Sequence, residues 1–216
     1  MTQTVPQISM DGLGRIMDGI IPLLRRVRGG LKLLAQRKRS WEELEYFDES
    51  WKKRIKVMAS FIAPGESVID LGCGKMWLKP LLKNNTYWPV DYRRRDEKTV
   101  LANFNRHQYP DIRADVAFLS GTLEYIEDYE WFVRQVSSRS SRCIVSYCTT
   151  EYHPDLKVRI RKAWKSHLSR STLVRLFARN GMHLDAESTA VAGNPIFVFS
   201  RGRGSLPAEQ PGDERH

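Results

Sequence analysis

The 216-residue sequence predicts an α/β fold: a doubly wound, mostly parallel seven-stranded sheet with an antiparallel last strand, plus N-terminal helices. Three observations lead there. From Ser67 onward, short apolar runs alternate with amphipathic stretches, the pattern of a parallel sheet with right-handed crossovers. A glycine turn, Asp70-Leu-Gly72-Cys-Gly74, sits where the first of these runs ends. Two late runs, 183–192 and 195–200, read as a closing antiparallel pair.

The elements follow in order. Residues 1–12 read as a loose leader, and 13–38 as a basic amphipathic helix or helix pair, interrupted at Pro22 and at Gly29-Gly30. Ser40 is placed to cap the next helix, with Glu43 at its third position, and Trp41, Leu44, Phe47 and Trp51 form an apolar face. A further helix over 51–61 ends at Pro64-Gly65. Strands are expected at 67–70, at 87–90 with Asp91 at the end, at 99–102, at 115–119 and at 143–147. Helices are expected at 76–82 and 128–137, and at 169–180 with Gly181 as the stop. The implied domains are an extension and lid over 1–50, a sheet domain over 51–200, and a disordered tail from Arg201 that is rich in Gly, Pro and charge.

Composition narrows the class. Hydrophobic residues at 41% and charged residues at 28% suit a soluble globular chain, and no apolar run is long enough for a membrane-spanning helix. The first residues lack the order of a secretory signal, and three cysteines without metal-ligand spacing suggest reduced thiols, so a cytoplasmic location is expected. The net charge of +10 is concentrated: Arg25, Arg26, Arg28, Lys32, Arg37, Lys38 and Arg39 occur with no acid among them. Such a field attracts phosphates, acidic glycans, nucleic acid or anionic lipid, and makes residues 13–39 a candidate for peripheral contact at the inner face of a membrane. Self-association into a homo-oligomer is compatible with these features.

The glycine turn carries the chemistry. Glycines between strand and helix let the backbone turn sharply and approach a ligand. A carboxylate beside that turn would repel a pyrophosphate but would welcome an ammonium group. Val68-Ile-Asp-Leu-Gly-Cys-Gly74 resembles the first motif of the class I, Rossmann-like methyltransferases that use S-adenosylmethionine (SAM), whose ligand carries an α-ammonium and a sulfonium. Met76 stands where that family usually has a further glycine. The resemblance implies SAM as cofactor, with Asp70, Gly72, Cys73 and Gly74 at its methionine end. It places Asp91, with Tyr92 beside it, at the ribose hydroxyls, and Asn103 and Phe104 at the adenine. Ser120-Gly-Thr-Leu-Glu-Tyr-Ile126 is similar to the family's segment after the fourth strand, with Tyr125 in place of the usual His. It implies Ser120 and Gly121 beneath the cofactor, and Leu123 and Ile126 in the core. Short bacterial members with a helical front part share this outline, and no metal is implied.

Methyl transfer needs a base only if the acceptor must lose a proton. Tyr125, Tyr147, Glu151, Tyr152 and His153 lie where the fourth and fifth strands release the chain, and His153 and Tyr125 are the catalytic candidates. His107 and His167 are weaker ones. Arg159, Arg161, Lys162 and Lys165 form a second basic cluster suited to an anionic acceptor. The expected reaction is O-methylation of a sugar, surface glycan or other small molecule, as in polysaccharide biosynthesis. RNA methylation and a non-catalytic SAM-binding module are the alternatives.

Overall fold

A computed structural model describes residues 41–202. The expectations for 1–40, including the basic helix, the Ser40 cap and the membrane contact of 13–39, lie outside the described residues, as does the tail from 203.

The chain enters through a single helical turn, α1 (Trp41–Leu44), then an extended segment to α2 (Trp51–Ala59). The sheet follows: β1 (Val68–Leu71), β2 (Tyr87–Asp91), β3 (Val100–Leu101), β4 (Ala114–Ser120), α3 (Tyr129–Arg139), β5 (Ser140–Ser146), α4 (Leu156–Arg161), α5 (Arg170–Arg179), β6 (Met182–Ser188) and β7 (Ile196–Arg201). The strand order is β3-β2-β1-β4-β5-β7-β6. β1 to β5 run parallel, and β7 is antiparallel to both of its neighbours. The seven-stranded sheet with an antiparallel last strand is therefore present as expected.

Side-chain alternation splits the core in two. Ile69, Leu71, Ala117, Leu119, Cys143, Val145, Phe197 and Phe199 face α3 and α5, where Phe132, Val136, Leu173 and Phe177 meet them. Val68, Val116, Phe118, Ile144 and Val198 face α2, where Ile55 and Met58 meet them. Both helices on the first face are capped as their sequences suggest: Asp128 accepts from the Trp131 amide and Ser169 from the Thr172 amide.

Four expectations are corrected. No helix covers 76–82; one 3-10 turn, Lys79–Leu81, lies there between bends. Met76 and Asn84 take left-handed φ values of 52° and 56°, and Pro80 sits inside the stretch, so a continuous α-helix cannot form. α2 covers that face of the sheet instead. The third strand shrinks to Val100–Leu101. β6 ends at Ser188 rather than running to 192. Arg201 belongs to β7, paired with Met182, so it is not part of a tail.

Candidate cofactor and acceptor site

The topology reverses between β1 and β4, and the crevice beyond their carboxyl ends is where such sheets bind ligands. β1 delivers the chain into a tight turn there. Gly72 has φ 81°, and a Cβ on it would lie 2.6 Å from Thr122 Oγ1. That hydroxyl is fixed by donating to the Leu71 carbonyl at 2.7 Å, so the two loops knit together through glycine alone. Met76, where a glycine is usual in the resembling family, takes the left-handed conformation that a glycine adopts freely, and its amide donates to the Cys73 carbonyl at 2.7 Å.

The two acids of the turn differ. Asp91, almost wholly buried, accepts from the Gly74 amide at 2.9 Å, from the Arg93 amide at 3.2 Å and from Arg95 at 3.2 Å. Asp70 accepts only from Tyr87 Oη among the described residues, at 2.7 Å. Burial pushes its carboxyl up to about 7, the Tyr87 hydrogen bond opposes this, and the negative charge of Asp91 adds to it.

A cavity of about 470 Å³ runs along these strand ends. Asp91, Tyr92, Asn103 and Phe104 line it beyond β2 and β3; Asp70, Gly72, Cys73, Gly74, Ser120 and Gly121 line it beyond β1 and β4. Tyr125 and His153 line the part beyond β4 and β5. Every residue expected to hold the cofactor or act on the acceptor thus reaches one space. Tyr147, Glu151 and Tyr152 do not line it. Tyr147 is buried, with its hydroxyl accepting from the Leu168 amide at 2.9 Å. Glu151 accepts from the Arg170 amide, and Tyr152 faces outward. His107 pairs with Asp128 on the surface, and His167 accepts from Arg159. Leu123 and Ile126 are buried in the core, although Ile126 also reaches the cavity wall.

Sequence reasoning missed Arg54, Glu124, Trp164 and Asn194, which share this wall. Arg54 was legible as a cation on the apolar face of α2, beside Ile55 and Met58. It donates from Nε to Ser120 Oγ at 3.1 Å, from Nη1 to Asn194 Oδ1 at 3.1 Å and from Nη2 to the Ser120 carbonyl at 3.4 Å. Glu124 is 1% exposed. Its Oε1 accepts from the Cys148 amide at 2.8 Å, and its Oε2 has no hydrogen-bond partner among the described residues. Burial raises its carboxyl pKa, against the Cys148 amide and the charge of Arg54. No sequence pattern announced Asn194, which the β6–β7 loop brings in from far along the chain.

His153 Nε2 lies 3.0 Å from the Gly193 carbonyl. A carbonyl only accepts, so Nε2 carries the proton and a neutral ring keeps its lone pair on Nδ1. Tyr125 is pushed up to about 12 by burial and by the Glu124 carboxylate, so its hydroxyl donates rather than abstracts near neutral pH. The segment before α2 crosses the cavity mouth. Glu42 accepts from Asn103 Nδ2 at 3.3 Å, and Glu45 pairs with Arg93 at 2.7 Å and also with Arg95. Phe47 lies over the turn, its Cε1 2.5 Å from where a Gly74 Cβ would be.

This topology and this site define a class: an α/β protein with a ligand crevice at the switch point of its sheet and two buried acids at the ends of β1 and β2. The family model for a methyltransferase domain matches residues 41–187, and the chain belongs to that family. It is a SAM-dependent methyltransferase of the class I, Rossmann-like type. No curated protein sequence matches it. Among solved structures it is similar to the magnesium protoporphyrin IX methyltransferase of Synechocystis with bound S-adenosylhomocysteine (SAH), at 14% identity and TM-score 0.54 over 69% of this chain and 83% of that one. It is also similar to the 1,6-didemethyltoxoflavin N1-methyltransferase of Burkholderia thailandensis, at 11% identity and TM-score 0.54 over 92% and 93%. A third likeness is to mitomycin 7-O-methyltransferase, at 14% identity and TM-score 0.56 over 70% of this chain and 54% of that one.

Proposed function

We propose that this chain transfers a methyl group to an oxygen of a small-molecule acceptor, a sugar or other hydroxylated compound, held beyond β4 and β5. The observation that carries this is the single cavity, whose parts beyond β1, β2 and β3 suit SAM and whose remainder is walled by Tyr125, His153 and Trp164. Its volume falls within the range of about 300–1,000 Å³ usual for small-ligand sites.

The residues fit the cofactor. Asp91 is held rigidly by three donors at the edge of β2, as a carboxylate accepting from ribose hydroxyls must be. Asn103 and Phe104 line the side of the cavity suited to adenine. Asp70, short of partners, offers its carboxylate to the α-ammonium, and Arg54 offers a guanidinium to the α-carboxylate. When bound, SAM supplies a methyl already activated by positive sulfur. The chain then contributes orientation, worth on the order of 7–11 kcal/mol in favourable cases. For a hydroxyl acceptor, His153 Nδ1 takes the proton while the Tyr125 hydroxyl orients the oxygen; the buried turn and Phe47 exclude water.

The test is SAH formation from SAM against separate pools of phenols, nucleotide sugars, hydroxy acids and RNA. Turnover with a small hydroxylated compound, lost in His153→Ala with SAM affinity retained, supports the proposal. Turnover confined to RNA contradicts it.

A further inference from the structure

The end of the cavity assigned to the acceptor holds more positive charge than its own residues balance. Two cations line it, Arg54 and Lys162, and a third, Arg159, lies behind the Trp164 ring. Arg54 donates only to Ser120 and Asn194 among the described residues. Arg159, 1% exposed, lies 4.8 Å from the Trp164 ring and donates to neutral acceptors: the Cys148, His153 and Ser166 carbonyls, Tyr147 Oη and His167 Nδ1. Lys162 lines the cavity, with its Nζ 5.0 Å from the same ring. None of the three is in an ion pair among the described residues.

Glu124 is the one carboxylate lining this end among the described residues; Glu45 and Asp48 belong to the crossing segment, and Asp70 and Asp91 to the cofactor end. Glu127, near Lys165 at 3.9 Å, is largely exposed and does not line the cavity. Even with Arg54 committed to the cofactor's carboxylate, Lys162 and the sulfonium face a single acid, with the Arg159 charge close behind. The buried charge of Arg159, met only by neutral acceptors, is costly, and an anion entering beside it relieves that cost.

We propose that the acceptor enters as a carboxylate-bearing small molecule, with Lys162 as the residue that anchors its anionic group. Lys162 is suited to this because it is the exposed cation of the three, while the two guanidiniums are tied down by neutral partners. Arg159 supplies a fixed field behind Trp164 rather than a contact. The inference rests on the reading of this end as the acceptor's.

The experiment is calorimetry on the full chain. SAH is titrated first, then the SAH complex is titrated with benzoate, phenylphosphonate and benzamide as probes of matched shape. The expected result is benzoate binding about tenfold or more tighter than benzamide, and the Lys162→Met variant losing that preference while SAH affinity is unchanged. Lys157→Met removes an exposed lysine of α4 that does not line the cavity, and should leave the preference intact. Failure of SAH itself to bind strikes the proposed function. With SAH bound, equal affinity for benzoate and benzamide, no binding of either, or a preference surviving in Lys162→Met overturns this inference. A clear preference for phenylphosphonate over benzoate replaces the carboxylate with a phosphate group and overturns the chosen class.

Discussion

Replacing Asp70 by Asn separates what the residue does for binding from what it costs the fold. The carboxyl stands at about 7 in the folded protein against an ordinary 3.8, because it is buried with Tyr87 as its one hydrogen-bond partner among the described residues. The folded state therefore binds its proton more tightly than the unfolded chain does. Stability from this group is greatest at acid pH, falls as pH rises from about 4 to about 7, and is flat above. The full cost is on the order of 4 kcal/mol, from about three pKa units at 1.36 kcal/mol each. Between about pH 5 and pH 8 the wild type should lose roughly 2.5 kcal/mol through this group, a loss that Asp70→Asn cannot suffer. An unpartnered amide proton donor in the variant costs about 1–3 kcal/mol at every pH, so the informative quantity is the change with pH, not the absolute difference. Urea melts of both proteins without cofactor at the two pH values give it directly. SAM affinity should move the other way: the variant binds weakly, and wild-type binding at about pH 6 releases close to one proton, visible as a buffer-dependent heat. Identical pH dependence of stability in the two proteins would refute the burial argument. Wild-type SAM affinity in Asp70→Asn would refute the ammonium contact.

Two further outcomes concern the same turn, and one the wall behind it. Met76→Gly relieves a left-handed residue at a cost of chain entropy, so a net stabilisation of about 0.5–1 kcal/mol is expected by thermal melting; destabilisation would show that the Met76 side chain packs usefully. Gly72→Ala meets both a φ of 81° and the Thr122 hydroxyl, and should cost about 2–4 kcal/mol with loss of SAM binding; a Thr122→Ser, Gly72→Ala double variant should recover little, because the backbone strain remains. Arg159→Met leaves the buried Cys148 and Ser166 carbonyls without their side-chain donor, so a loss of about 3 kcal/mol or more is expected in urea melts; a variant as stable as wild type would contradict the assigned hydrogen bonds.

Much of this was legible in the sequence because it depends on local rules. Short apolar runs, the glycine turn, the capped helices and the order of the stations Asp70, Asp91, Asn103 and Ser120 each leave a mark within a few residues. The absent helix after β1 was misread because 76–82 is apolar enough to suggest one, while the left-handed Met76 follows from the turn it must complete. The acceptor wall was harder to see. Glu124, Trp164, Asn194 and Arg54 come from separate elements and meet only once the sheet is assembled. Arg54 alone broke a local pattern, as a charge on a face otherwise turned to the core. The same distance in sequence explains why Tyr147 and Glu151 looked available: these two side chains turn to Arg159 and the start of α5, while Cys148 and His153 of the same exit line the cavity.

The central claim is that the cavity beyond β1 and β2 holds SAM with its ribose on Asp91. Calorimetric titration of SAM into the wild type and Asp91→Ala, with both shown folded by thermal melting, tests it most directly. Saturable one-to-one binding by the wild type and a loss of about a hundredfold or more in the variant are expected. Equal affinity in the two proteins, or no binding by the wild type at millimolar SAM, would contradict it.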